Sequence, residues 1–79
     1  MEWETIVGAN IRRLRKERGL SQETLAGEAG LAMRHLGRIE RGEGNPTVTV
    51  LGKLAEVLGV HPAALYDPIK RPAPLPHHG

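Results

Sequence analysis

Arg34 and Arg38 stand four residues apart in a stretch with helical spacing, so both guanidinium groups project from one helix face. A guanidinium holds its charge permanently and presents a rigid fork of N–H donors, which suits anionic or acceptor-rich partners. Eight of the eleven basic residues lie between Arg12 and Arg41, whereas the segment from Pro46 to Pro68 holds only Lys53. Clustered cations are the footprint of a polyanionic partner, the alternative being ordinary solvated helix faces. The formal net charge of +2 decides little beside that distribution.

Other chemistries find few residues to carry them. Cysteine is absent, which excludes a disulfide framework and a thiolate metal site. His77 and His78 are adjacent but have no third ligand nearby, so neither a metal nor any other cofactor is expected. No serine–histidine–acid constellation is present, Ser21 serves as a helix cap, and so short a chain cannot wall off a deep pocket. An enzyme is therefore not expected. No apolar run approaches membrane length and no basic stretch precedes an apolar one at the start, so a cytoplasmic protein is the expectation.

The positioning elements follow from hydrophobic period and from caps. Seventy-nine residues support one core, and without Phe it must be built from Leu, Ile, Val, Ala and Met. Trp3, Val7, Ile11 and Leu14 share one stripe, predicting a first helix over about 2–18 that Gly19 stops. Its acidic residues Glu2 and Glu4 come first, and Lys16 and Arg18 last, as the helix dipole favours. Ser21 offers an oxygen to cap a second helix, Gln22 to Ala29, although Thr24 stands where a full capping box needs Glu or Gln. Gly30 ends it. A third helix, 33–41, turns Leu36 and Ile39 inward and stops at Gly42, before the turn residues Glu43-Gly44-Asn45-Pro46. Thr47 caps a fourth, whose expected buried stripe is Val48, Leu51, Leu54, Ala55 and Leu58, closed by Gly59. Pro62 suits the first position of a fifth, 62–66. The expected architecture is all-α, a five-helix bundle over residues 1–67, followed by an extended or disordered Pro-rich tail over 68–79.

The stretch QETLAGEAGLAMRHLGRIER, residues 22–41, has the logic of a helix-turn-helix. Ala26 is small enough for two helices to cross closely, and Gly30 can take the positive φ of a tight turn. Leu25, Ala29, Leu31, Leu36 and Ile39 are apolar where the helices face one another. In such a motif the second helix enters the DNA major groove.

The chain resembles the Cro/repressor-type helix-turn-helix family, which includes phage repressors, controller proteins of restriction–modification systems and many small bacterial regulators. The matching segments are IRRLRKERGLSQETLA, AGL, IERGEGNPTV and LAEVLGV, within about 7–66. The resemblance implies that Met33, Arg34 and Arg38 face the groove, the arginines forking onto guanine and Met33 touching a thymine methyl. Phosphate contacts by the arginines alone are the other reading. It also implies that Gln22, His35, Arg41 and Asn45 meet the DNA backbone, with the Gly42–Gly44 amides beside them. Arg15 and Glu40 become a partly buried ion pair pinning the first helix to the third. Two departures stand out. Ala32 replaces the usual Ser or Thr cap of the recognition helix, at a cost of ~1 kcal/mol. Gly37 sits in mid-helix, where it either lets the helix lie closer to DNA or is simply tolerated.

A lone recognition helix reads few base pairs, whereas a two-fold dimer presents two about 34 Å apart, matching one DNA turn. Val50, Val57, Leu65, Tyr66 and Ile69 form the candidate dimer patch, unless they cap the domain's own core. The expected partners are a double-stranded DNA operator and a second copy of the chain, with no membrane and no evident small-molecule effector. Regulation would then work through protein concentration, including at its own promoter. An antitoxin-like or other protein-interaction module on the same scaffold is the alternative, though such a module would not need the arginine face.

Overall fold

The computed structural model describes residues 2–68. Four α-helices follow one another, α1 (Trp3–Glu17), α2 (Gln22–Ala29), α3 (Met33–Glu40) and α4 (Val48–Leu58), and a 3-10 helix spans Pro62–Tyr66. No strand occurs among the described residues.

Side-chain caps start two of the four α-helices. The Ser21 hydroxyl accepts from the Thr24 amide at 3.0 Å, and the Thr47 hydroxyl accepts from the Val50 amide at 3.1 Å. Ala32 has no oxygen to offer, so α3 begins without a side-chain cap. The turn between α2 and α3 depends on Gly30, whose φ of 75° is a conformation that other L-residues rarely adopt. That geometry lets the Leu31 amide return to the Ala26 carbonyl at 2.8 Å, which closes α2 and aims α3 across it.

α1 packs on α3 and on the 3-10 helix, while α2 packs on α3 and α4. Every element sends at least one side chain fully into the shared core: Ile11, Leu25, Leu36, Leu54, Leu58 and Leu65. Burying each contributes about 1.5–3 kcal/mol relative to leaving it in water. The α1–α3 crossing is close enough to require Gly8. A Cβ there would collide with the carbonyl oxygen of Ile39 and lie 2.9 Å from that of Glu40.

Several expectations need correction. The fifth helix is a 3-10 helix: it has only five residues, and the His61 ring nitrogen accepts from Ala63 at 3.0 Å to hold its tight first turn. α3 ends at Glu40, one residue early, and Arg41 is its C-cap. Val48 is not part of a buried stripe. It is the first residue of α4 and is 84% exposed. Trp3 sits on the predicted stripe, but at the start of α1 it packs on Tyr66, with ring centroids 5.8 Å apart, and is half exposed. The Pro-rich tail, including His77 and His78, lies outside the described residues beyond Pro68.

Candidate nucleic-acid interface

α3 has two unlike faces because its apolar residues are few and spaced for one side. Leu36 and Ile39 are buried, and Met33, Arg34, His35 and Arg38 all stand exposed. Neither the Arg34 nor the Arg38 guanidinium has a carboxylate or carbonyl partner among the described residues. An unpaired, solvated guanidinium four residues from another offers two forks along one edge of a short rod.

The rod is fixed from behind by a buried network. Arg15 Nε donates to Glu40 Oε2 at 2.7 Å and Nη2 to Oε1 at 3.0 Å, a two-pronged ion pair between α1 and α3. Its third nitrogen, Nη1, donates to the Leu20 carbonyl at 2.9 Å, so the guanidinium also holds the α1–α2 link. The Glu40 side chain is only 2% exposed, so its charge depends on these donors. Gln22 adds another, Nε2 to Glu40 Oε1 at 3.0 Å. This fixes Gln22 at the start of α2 while leaving the second hydrogen of that NH2 group, and free backbone N–H groups, at the surface.

Arg41 folds back over α3. A Cβ on Gly37 would lie 3.3 Å from Arg41 Nη1 and 3.9 Å from the Gln22 amide, so the missing side chain makes room for both. Arg41 also reaches Glu43 through a solvent-exposed pair at 3.3 Å. Asn45 lies in the link from α3 to α4. It borders a shallow hollow with Trp3, Glu4, Pro46 and Tyr66. Among the residues expected to pair two copies, Val50 and Val57 are half-buried against the core, and Tyr66 is exposed. Leu65 corrects that expectation: it is fully buried under α1 and α4 and can meet no partner, while Ile69 lies outside the described residues.

Three features escaped the sequence. Asn10 is fully buried and donates its amide to the Leu65 and Asp67 carbonyls. Arg18 Nη1 donates to the Leu58 carbonyl at 2.9 Å, satisfying the C-terminal end of α4. Arg12 and Lys16 line the same surface hollow as Gln22 and Arg41. Among the described residues no group of three or more His, Cys, Asp and Glu side chains could hold a metal, and no helix is long and apolar enough to cross a membrane.

The family model described as helix-turn-helix matches residues 11–65. The HTH-type transcriptional regulator y4dJ of Sinorhizobium fredii is 43% identical over 68 residues, covering 86% of this chain and 88% of that protein. SinR of Bacillus subtilis, also an HTH-type transcriptional regulator, is 40% identical over 63 residues. The match covers 78% of this chain but 57% of SinR, so the chain spans little more than half of that relative. Among solved structures, the restriction–modification controller protein C.AhdI from Aeromonas hydrophila superposes with a TM-score of 0.77 at 40% identity, over 80% of this chain and 96% of that one. SinR in complex with DNA superposes with a TM-score of 0.73 at 40% identity, over 77% and 98% of the two chains.

Proposed function

The chain belongs to the helix-turn-helix family, and from that premise we propose that it is a transcriptional regulator binding double-stranded DNA as a homodimer. The observation that carries the reading is the outward face of α3, where Arg34 and Arg38 stand exposed and unpaired beside Met33 while Leu36 and Ile39 anchor the opposite side. In this reading α3 enters the major groove and those three residues meet base edges, the arginines by two-pronged bonds to guanine. Gln22, His35, Arg41 and Asn45 hold the sugar–phosphate backbone, which sets register without reading sequence. Two similar proteins support this, one a restriction–modification controller and the other crystallised with DNA. The place of action is the cytoplasm, where such DNA lies.

The homodimer has a physical motive: one eight-residue helix reaches only a few base pairs. Val50, Val57 and Tyr66 offer a partly apolar surface for it, with Ile69 beyond the described residues.

Selection of preferred duplexes from a random pool tests both parts. The expected result is an inverted repeat with half-sites about one helical turn apart. Affinity should fall with salt at a log–log slope of about −0.9 per phosphate neutralised. No enrichment, or salt-independent association, overturns the DNA reading. An enriched single half-site bound by one copy overturns the homodimer alone.

A further inference from the structure

The basic residues at the end of α1 divide into two groups. Arg13 pairs with Glu17 at 3.1 Å, Arg15 with Glu40, and Arg18 with the Leu58 carbonyl. Arg12 and Lys16, four positions apart and therefore on one face, are exposed and have no such partner among the described residues. Both border a hollow between α1, the start of α2 and the end of α3, whose other walls are Arg15, Gln22, Glu40 and Arg41. The single carboxylate there, Glu40, is already neutralised by Arg15, and Arg41 is paired with Glu43, so Arg12 and Lys16 leave the hollow net positive.

We propose that this hollow seats phosphates of bound DNA, with Arg12 and Lys16 forming an outer clamp on the backbone beside the stretch that α3 reads. The inference deepens the DNA-binding reading and rests on it. The hollow shares Gln22 and Arg41 with the α3 edge, so a duplex placed against α3 brings its neighbouring phosphates to this wall. A free anion would gain little from two solvated side chains. A polyanion already held by α3 presents its next phosphates at high effective concentration, so the same cations become useful. The clamp widens the footprint and adds affinity without adding sequence preference.

The test uses the full chain and compares wild type, Arg12→Gln/Lys16→Gln, and Arg18→Gln/Lys53→Gln as a control with equal charge loss. Binding to the selected duplex and to a random duplex is measured over a salt series, and thermal unfolding confirms that each variant is folded. For Arg12→Gln/Lys16→Gln, the log–log salt slope should become shallower by about 1.8 per bound copy, two phosphates' worth, and so by about 3.6 for the homodimer. Affinity should fall by the same factor on both duplexes. The control should keep the wild-type slope. An unchanged slope in the test variant, an equal change in the control, or a loss confined to the selected duplex each overturns the clamp while leaving α3 as the reader. Saturable binding of inorganic phosphate at Arg12 and Lys16, with an unchanged DNA slope, overturns it in favour of a free-anion site. If wild type itself shows no salt-dependent DNA binding, the underlying reading fails and takes the clamp with it.

Discussion

The side-chain amide of Asn10, midway along α1, donates to the carbonyl oxygen of Leu65 at 2.8 Å, across 55 positions of sequence. A second donation from the same nitrogen reaches the Asp67 carbonyl. One fully buried side chain thus ties the 3-10 helix to α1 and satisfies a carbonyl that has left regular helix. Asn10→Ala should cost about 1–3 kcal/mol for the orphaned Leu65 carbonyl alone. Urea unfolding measures that loss, and amide exchange should show Ala64, bonded to the His61 carbonyl, opening before the core of α4. A variant of wild-type stability would mean that water replaces the amide.

Two glycines inside helices should respond oppositely to alanine. At Gly27, exposed in α2, an added Cβ meets nothing within 4 Å, so Gly27→Ala should stabilise by about 0.5–1 kcal/mol through helix propensity. At Gly8 the same change drives a methyl into the carbonyls of Ile39 and Glu40. Backbone cannot swing aside as a side chain can, so α1 must lift from α3, at about 1–3 kcal/mol or more. Thermal unfolding of both variants checks the pair; equal shifts would mean that α1 and α3 are not in close contact.

The helix limits were legible where a cap and a glycine bracket a segment, as Ser21 and Gly30 bracket α2 and Thr47 and Gly59 bracket α4. Period names a face but not how far the neighbouring element reaches along it. For that reason Val48 and Trp3, each in the first turn of its helix, emerge exposed. The 3-10 helix is too short to have a period at all, and nothing in Pro62–Tyr66 marks Leu65 as the residue turned inward. Long-range polar ties are the least legible. Only the family resemblance links Arg15 to Glu40, 25 positions apart, and the carbonyls that accept from Asn10 and Arg18 have no signature in side-chain sequence. Exposure of Arg34 and Arg38 was readable because Leu36 and Ile39 fix the orientation of so short a helix.

Truncating either side of the Arg15–Glu40 pair should be costly because neither charge can return to water. Their side chains are 11% and 2% exposed. Arg15→Ala and Glu40→Ala should each lose about 3–5 kcal/mol, whereas removing one member of a solvated pair such as Arg41–Glu43 should change stability by less than about 1 kcal/mol. The double change Arg15→Ala/Glu40→Ala should cost less than the two single losses together, since no unpaired charge remains. Chemical denaturation of the set gives the coupling energy. A sum of the single losses that equals the double loss would mean the two side chains act independently.

Arg38 separates effects on folding from effects on recognition. Its side chain is exposed and without a carboxylate partner among the described residues, so Arg38→Ala should leave stability within about 0.5 kcal/mol of wild type. Any loss of DNA affinity then belongs to the interface. Affinity for the selected duplex should fall by about 1–3 kcal/mol, with discrimination relaxed at one base pair per half-site, because a two-pronged bond to guanine O6 and N7 has no equivalent on the other bases. Competition between duplexes altered one base pair at a time reads this out. A uniform loss across all duplexes would reduce Arg38 to a phosphate contact and transfer the sequence reading to Arg34 and Met33.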